Sequence, residues 1–413
     1  MLRGRSCVSL STLFLDFNAY FASVEQQLRP ALRGRPVAVV PMENVDTTCC
    51  IAASYEARPF GVRTGTGVAE ARRLCPNLIL VNARPAIYVR MHHELLGAID
   101  SCLPVHKVLS VDECVCRLLG EERRRERAVA LALDVKRAIR ERVGEWMRCS
   151  IGLAPNRLLA KVASNMQKPD GLTVIEKKDL PDALHRLELT DLPGIARQME
   201  RRLYAHGVGS VAELCALSES DMVAVWESVL GRYWHAWLRG EDPPEIPTHR
   251  RNFGRQHVLP PELRTSEGAR AVLIRLLCSA AAKMRRHNHW AGQLTIFTRS
   301  PGGGRWKARA TFPHCQDTPS LIRAMTPLWK QRPTGAGAPM LVGVTLHDLR
   351  TDESAPAPLF PAEERSRRLS HALDRLHIKH GAELAHPAST LPVRSSAPMR
   401  IAFSSIPDLE LPQ

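Results

Sequence analysis

Acidic side chains interrupt two apolar stretches of this chain, where buried strands are expected. Asp112 and Glu113 lie side by side among the apolar and β-branched residues of Val108–Cys116, and Asp16 interrupts Leu13–Phe17 in the same way. Burying an unpaired carboxylate is so costly that such groups are normally paired, protonated or bound to a metal. Two strands that carry acid could therefore bring three carboxylates together around divalent cations. An isolated Asp-Glu pair can also mark a strand that leaves the core for solvent, so other features must decide.

The length and charge of the chain limit the number of domains and the kinds of binding partner to expect. At 413 residues the chain is long for one core, and about two to four domains are expected. The formal net charge is +15, although the hydrophobic content of 44% and the charged content of 24% are ordinary. Residues 243–349 hold 16 Lys and Arg against 5 Asp and Glu, a net +11, whereas residues 350–413 hold 8 of each. This concentration of charge favours a nucleic-acid-binding domain over an evenly solvated surface.

Several classes of protein are disfavoured. The eleven cysteines include no C-x-x-C pair, so we expect reduced thiols and no zinc site. No apolar run approaches the ~20 residues of a membrane span. The apolar run after Arg3 and Arg5 contains Asp16 and lacks a cleavage signature, which argues against a signal peptide. We therefore expect a cytoplasmic protein without a membrane segment.

Strands that alternate with helices surround the acids. Strands are predicted over residues 13–17, 36–40, 49–53, 78–81, 108–116 and 149–153. Helices are predicted over residues 18–27, 55–60, 68–74, 85–103, 129–143 and 156–167. Asn18 is expected to cap the first of these helices. The alternation indicates an α/β or α+β core.

A helical segment follows this core. Residues 172–240 are predicted to be mostly helical, with short helices joined by turns at Gly194 and Gly207. Short helices joined in this way are typical of helix-hairpin-helix motifs, whose loop amides can hold a phosphate.

The basic segment has its own pattern. Strands are predicted over residues 253–259, 293–298, 306–312 and 341–346, and helices over residues 266–287 and 318–329. This order, β-α-β-β-α-β, is that of a sheet covered by helices. Lys307 and Arg309 alternate with apolar residues, so their strand can present a basic row to phosphates while its back packs on the helices.

Five short stretches, taken in order, resemble the motifs of Y-family (translesion) DNA polymerases of the DinB/UmuC kind. They lie at residues 14–25, 53–62, 109–113, 150–152 with 156–163, and 192–195. The resemblance implies an α+β multidomain fold, a right hand with a β-α-β-β-α-β little finger added. It implies a palm at 1–18 and 78–171, fingers at 19–77, a helical thumb at 172–242, a little finger at 243–349 and a C-terminal tail at 350–413.

The resemblance also gives the acids a role. It implies that Asp16, Asp112 and Glu113 are catalytic and hold two Mg²⁺ ions, with the backbone carbonyl of Phe17 as a further ligand. Oxygen ligands of this kind suit Mg²⁺. Two such ions can activate a primer 3′-hydroxyl and stabilise charge on the α-phosphate and the departing pyrophosphate.

Four further residues match the nucleotide site of the family. Phe21 matches the steric gate, whose ring leaves no room for a ribose 2′-hydroxyl, and the triphosphate contacts match Tyr55, Arg58 and Lys161. Arg58 can fork onto phosphate oxygens, whereas Lys161 acts as a point charge. Without the resemblance, Phe21 would be interpreted as a core residue and Lys161 as a solvated side chain.

The chain departs from the family pattern at a few positions. Asn18 stands where a second Asp is usual, Ala52 replaces a Thr or Ser that bonds phosphate, and Ala196 replaces a Gly of the thumb hairpin. A sliding-clamp peptide is only hinted at by Leu359 and Phe360, because the expected Gln is missing.

The sequence thus predicts template-directed, error-prone DNA synthesis from dNTPs on primer–template DNA. DNA contacts are expected at the hairpin glycines and on the basic strand, at Gly194, Gly207, Lys307 and Arg309. The alternative is a catalytically weak or inactive relative that serves as a DNA-binding scaffold for another repair polymerase. Retention of all three acids favours the active enzyme.

Overall fold

The computed structural model describes residues 10–41, 46, 48–245, 250–333, 335, 337–355, 360–380 and 385–394. The chain divides into two compact units, with the division between residues 245 and 246. Within the described ranges, every cysteine is a free thiol. None of the helices described is both long and apolar enough to span a membrane.

The first unit contains eight strands and nine α-helices among its described residues. The strands are β1 (Thr12–Phe17), β2 (Val37–Val40), β3 (Ala52–Ala53), β4 (Ile79–Asn82), β5 (Val105–Val108), β6 (Glu113–Arg117), β7 (Cys149–Ala154) and β8 (Leu172–Val174). The helices are α1 (Tyr20–Leu28), α2 (Val68–Leu74), α3 (Pro85–Asp100), α4 (Arg125–Arg142), α5 (Arg157–Met166), α6 (Arg197–Ala205), α7 (Val211–Ala216), α8 (Glu219–Trp226) and α9 (Leu230–Leu238).

Strand β1 is the centre of a five-stranded sheet with the order β5-β6-β1-β7-β8. All six of its residues are buried, and it pairs antiparallel with β6 on one side and β7 on the other. Successive side chains of a strand point to opposite faces. Leu13 and Leu15 pack into the core that includes α3 and α4, whereas Phe14 packs into the core that includes α5. Asp16 therefore shares the α5 face of the sheet with Phe14.

Two smaller layers complete the first unit. A three-stranded sheet, β3-β2-β4, packs with α2 around a core that includes Val40, Val62 and Val68. Helices α6 to α9 pack around the indole rings of Trp226 and Trp234, whose centroids are 5.0 Å apart.

The second unit is an antiparallel sheet with helices on one face. Its strands are β9 (Phe253–Val258), β10 (His289–Arg299), β11 (Arg305–Cys315) and β12 (Leu341–Thr351), in the order β11-β10-β12-β9. Its helices are α10 (Ser266–Arg286), α11 (Thr318–Lys330) and α12 (Pro361–His380). The core joins residues of α10 and α11 to alternate residues of the sheet. The predicted β-α-β-β-α-β order is therefore correct.

Three local predictions were wrong. The strand predicted over residues 108–116 is two strands, because a bend at 110–112 separates β5 from β6 and contains Asp112. The helix predicted over residues 55–60 is only a 3₁₀ turn, Arg58–Phe60, which ends at Gly61 with a φ of 87°. Asn18 does not cap α1, which begins at Tyr20 after Ala19 in the left-handed region.

The Asn18 side chain is instead used in a tertiary contact. Its Nδ2 donates to Ser150 Oγ at 3.1 Å, and its Oδ1 accepts from the backbone amide of Asp170 at 2.7 Å. Both contacts are far away in sequence, so a local pattern cannot anticipate them. They attach the loop after α5 to the end of β1.

Candidate active site

The antiparallel register of β1 and β6 places two of the predicted acids opposite each other. Asp16 pairs with Glu113 across the strands. Asp112 immediately precedes β6, and its carbonyl accepts a hydrogen bond from the Phe17 amide at 2.8 Å. Like charges directly opposite on neighbouring strands repel each other. The arrangement therefore needs a cation at this end of the sheet.

Lysine side chains provide positive charge at this point. Lys161 on α5 donates to Glu113 Oε1 at 2.6 Å and also to Asp16 Oδ2. Lys168, in the loop after α5, lies 2.7 Å from the other oxygen of Asp16, Oδ1. Burial lowers the pKa of Lys161, but the charges of Asp16 and Glu113 outweigh it and hold that pKa above its ordinary value. Lys161 therefore carries a positive charge at neutral pH.

Helix α5 holds Lys161 in place from its first turn. The Asn156 side chain caps the helix by accepting from the Leu159 amide at 2.9 Å, while its Nδ2 donates to the carbonyls of Trp237 and Glu241. Such a cap satisfies a backbone donor that the helix itself leaves free. Asn156 thus caps the first turn of α5 and connects it to the last turn of α9 and the residues that follow it.

Asp112 is the third acid of the cluster. Ser110 Oγ donates to its Oδ1 at 2.6 Å. Burial raises the pKa of Asp112, the Ser110 hydrogen bond opposes that rise, and the charges of Asp16 and Glu113 add to it. The charges of Asp16 and Glu113 therefore act on Asp112.

The donor set of this cluster fits a hard divalent cation. In the described ranges, no three His, Cys, Asp or Glu side chains approach closely enough to form a metal site as they stand. The ammonium group of Lys161 nevertheless shows that a cation is accommodated between Asp16 and Glu113. All three acids offer carboxylate oxygens, the ligands that Mg²⁺ prefers. The chemistry of the residues therefore suits such an ion.

Tyr55 and Arg58 lie beside each other at the start of the turn that follows β3. The Arg58 guanidinium stands over the Tyr55 ring, 3.9 Å from its centroid. Burial raises the pKa of Tyr55, the Arg58 charge opposes this, and the Asp16 charge adds to it. The Asp16 charge therefore acts on Tyr55. Its hydroxyl is buried without a well-aligned hydrogen bond.

Phe21 lies in the first turn of α1 and is 4% exposed. Its ring centroid is 4.7 Å from that of Tyr88 and 5.5 Å from that of Tyr20. This is the packing of a core residue close to the end of β1, and the gate role stays a prediction.

The predicted DNA contacts are distributed over both units. Gly194 and Gly207 have φ values of 106° and 78°, in the left-handed region that favours glycine. Lys307 and Arg309 are exposed on β11 and alternate with half-buried residues that pack on the core. Leu359 lies outside the described residues.

Sequence reasoning missed Lys168. The residue follows α5 in a loop, and its contact with Asp16 depends on the path of that loop. The Asn18 contact with the Asp170 amide holds the loop beside β1. No periodicity or motif considered above indicated Lys168.

Solved structures of known polymerases are similar to this chain in fold. The chain matches a chimera of the Y-family polymerases Dbh and Dpo4 with a TM-score of 0.70 and 23% identity, covering 83% of this chain and 99% of that one. It matches an insertion ternary complex of Dbh DNA polymerase with a TM-score of 0.53 and 24% identity, covering 82% and 98%. The fold is therefore that of a Y-family DNA polymerase, as predicted.

Sequence relatives give the type within this class. The impB/mucB/samB family matches residues 15–165, and its C-terminal domain matches residues 250–359. The chain is 33% identical to the DNA polymerase IV of Moorella thermoacetica over 395 residues, 92% of this chain and 96% of that protein. It is 30% identical to the DNA polymerase IV of Halorhodospira halophila over 341 residues, 82% and 95%.

The chain belongs to the DinB type of the Y-family DNA polymerases. It is a DNA-directed DNA polymerase of the translesion class, and members of this class are metal-dependent nucleotidyltransferases. The prediction of translesion DNA synthesis is thereby confirmed. The inactive scaffold finds no support in these relatives.

Proposed function

We propose that the chain extends a DNA primer by two-metal-ion nucleotidyl transfer at the cluster of Asp16, Asp112 and Glu113. The observation that carries the proposal is the register that sets Asp16 opposite Glu113, with a lysine ammonium group between them. Two Mg²⁺ ions at these carboxylates and at the Phe17 carbonyl would activate the primer 3′-hydroxyl and stabilise charge on the reacting phosphates.

Lys161 has two roles in this proposal. Before the nucleotide binds, its ammonium group neutralises Asp16 and Glu113. When the nucleotide arrives, the side chain turns to the triphosphate, while the capped helix α5 keeps the backbone fixed. The flexible lysine stem permits this change without movement of the helix.

Tyr55 and Arg58 complete the proposed phosphate site. The Arg58 guanidinium lies 3.9 Å from the centroid of the Tyr55 ring, and the Tyr55 hydroxyl has hydrogen-bonding capacity to offer. Phosphate oxygens accept readily from both groups. Phe21, in the first turn of α1, serves as the gate that excludes a ribose hydroxyl.

The DNA-binding part of the proposal rests on the basic segment. Lys307 and Arg309 contact backbone phosphates from the exposed face of β11, and the hairpin loops at Gly194 and Gly207 contribute amide donors. One of the solved structures similar to this chain is an insertion ternary complex of Dbh DNA polymerase. The substrates we propose here are primer–template DNA and a dNTP.

The finer organisation is part of the same proposal. We assign the palm to 1–18 and 78–171, the fingers to 19–77, the thumb to 172–242 and the little finger to 243–349, with 350–413 as a tail. We place the protein in the cytoplasm, and we expect that any contact with a sliding clamp involves Leu359 and Phe360.

The decisive variant is Asp112→Asn, with Asp134→Asn as its control. Asp134 is an acid of α4 that pairs only with Arg137 in its own helix turn, among the described contacts. We expect Asp112→Asn to abolish primer extension with Mg²⁺ and dNTPs, while anisotropy shows unchanged primer–template binding. Asp134→Asn should extend like the wild type. Extension by Asp112→Asn near the wild-type rate would refute the assignment.

A further inference from the structure

Glu25 is a buried carboxylate one helical turn after Phe21. Its side chain is 0% exposed, and its two oxygens are bound by one guanidinium. Arg84 Nε donates to Oε1 at 3.0 Å, and Arg84 Nη2 donates to Oε2 at 2.6 Å. A bidentate pair of this kind fixes direction as well as distance. Arg29 lies farther away, with its Nε 3.6 Å from Oε2, so the bidentate contact comes from Arg84. Removing Arg84 would leave the buried carboxylate with only this longer ion pair, which is destabilising.

The ion pair also holds an aromatic residue. Tyr88 is 1% exposed, and its hydroxyl donates to Glu25 Oε1 at 2.8 Å. The Tyr88 carbonyl in turn accepts from the Tyr20 hydroxyl at 2.6 Å. Arg84 immediately precedes α3, and Tyr88 lies in its first turn. Helices α1 and α3 are therefore joined here by a directional polar network inside an apolar core.

The ring held by this network is the one that packs against Phe21. The centroids of Phe21 and Tyr88 are 4.7 Å apart, with 36° between the ring planes. Phe21 and Glu25 lie four residues apart and share one face of α1. Glu25 therefore binds the Tyr88 hydroxyl and Phe21 contacts the Tyr88 ring, and both do so from the same face of α1.

We infer that the Glu25–Arg84 pair is a positioning device for sugar selection, which fixes Tyr88 as a rigid backing for Phe21. The inference rests on the proposed role of Phe21 as the gate. A gate excludes a hydroxyl by overlap only if its ring cannot retreat. The Tyr88 hydroxyl is bound to the buried Glu25 carboxylate, which Arg84 holds with two hydrogen bonds. The Tyr88 ring therefore cannot move away from Phe21. Glu25, Arg84 and Tyr88 act through Phe21 and touch no reacting atom.

A purely structural role makes a different prediction. If the network only joins α1 to α3, weakening it lowers the melting temperature and reduces activity with both sugars by the same factor. If it supports the gate, the ratio of kcat/KM for a dNTP to that for the matched rNTP falls. The ratio therefore separates the two roles even in a protein that has lost stability.

Two conservative variants test the inference. Tyr88→Phe removes one oxygen atom and keeps the ring, and Glu25→Gln keeps the shape but removes the charge. The matched control is Asp374→Asn in the second unit, where Arg285 forms a bidentate pair with Asp374 at 2.6 and 2.8 Å. Phe21→Ala serves as the reference for loss of the gate.

We expect Tyr88→Phe and Glu25→Gln each to lower the discrimination ratio about tenfold, with the dNTP value changed by less than about threefold. Asp374→Asn should lose stability with an unchanged ratio. An unchanged ratio in both test variants, alongside a collapsed ratio in Phe21→Ala, would overturn the inference and leave the gate intact. An unchanged ratio in Phe21→Ala would overturn the gate and this inference together.

Discussion

The acid cluster of the first unit and the basic row of the second unit both depend on charge, but they arrange it differently. At the ends of β1 and β6, Asp16 and Glu113 are largely buried and share the ammonium group of Lys161. On β11, Lys307 and Arg309 are exposed and project from a strand whose other face packs on the core. The acid cluster holds individual atoms in fixed positions, whereas the basic row produces an electrostatic field over its surface.

This difference has consequences for function. Nucleotidyl transfer needs reacting groups within a fraction of an ångström of their positions, so short buried contacts are required. Attraction of a DNA backbone sums over many phosphates and depends on salt, so exposed charges suffice. We therefore expect single substitutions to be decisive in the first region and graded in the second.

Among variants that keep the three acids, the largest effect is expected for Phe21→Ala. The discrimination ratio between dNTP and rNTP should fall by about 10²-fold or more, while dNTP addition continues more slowly. Phe253→Ala, which truncates an equally buried ring of the second unit, should lower stability without changing the ratio. If Phe21 is only a core residue, the two variants will behave alike in single-nucleotide kinetics and in melting curves.

The stability of the first unit should also depend on a histidine that is neutral in the folded protein. Burial lowers the pKa of His92 to about 4, and its Nδ1 lies 2.8 Å from the carbonyl of Val111, next to Asp112. Below pH 6.5 the unfolded chain takes up this proton before the folded chain does. Stability should therefore fall as the pH drops from 6.5 to 4, by up to about 3 kcal/mol.

Chemical denaturation between pH 4 and 7 measures this effect. His92→Gln should flatten the corresponding part of the stability curve. His106 is an exposed histidine of β5, so His106→Gln is the control and should leave the curve unchanged. An equal pH dependence in the wild type and His92→Gln would contradict the assignment.

A smaller effect is expected for Lys161→Met. Loss of the proposed triphosphate contact should raise the KM for dNTP by about 10- to 100-fold, because a charged contact to phosphate is lost. Lys168→Met is the matched variant, since Lys168 contacts Asp16 but not Glu113 in the described structure. It should change the dNTP KM much less. Equal KM values for Lys161→Met and the wild type would remove Lys161 from the nucleotide site.

The smallest effect is expected in the second region. Replacing Lys307 and Arg309 together with Gln should weaken primer–template binding by about tenfold and lower the salt slope by about 2. Extension at saturating DNA should remain close to normal. Replacement of two exposed cations of α12, Arg365 and Arg368, is the control of equal charge. A salt slope that falls equally in both double variants would show that only total charge matters.

Much of this arrangement was predictable from sequence because it depends on local patterns. The alternation of Lys307 and Arg309 with apolar residues directly predicted the exposed face of β11. The apolar context of Asp16 and Glu113 predicted carboxylates at the ends of buried strands, since strand pairing then has few alternatives. The order of strands and helices in the basic segment predicted the β-α-β-β-α-β arrangement.

The remainder depends on contacts between distant parts of the chain. Asn18 satisfies the local rule for an N-cap, but its hydrogen bonds to Ser150 and Asp170 decide its conformation. Lys168 reaches Asp16 only because that loop is held in place. The Glu25–Arg84 pair joins residues that are 59 positions apart. Sequence patterns do not contain the tertiary geometry that creates these contacts.

The central claim is that Asp16, Asp112 and Glu113 form the cation site. Its most direct test is a titration with Mn²⁺, a paramagnetic substitute for Mg²⁺, followed by electron paramagnetic resonance with primer–template DNA and a non-hydrolysable dNTP present. We predict two bound ions in the wild type and in Asp134→Asn, and the loss of at least one in Asp112→Asn. Two ions bound with unchanged affinity in Asp112→Asn would contradict the claim.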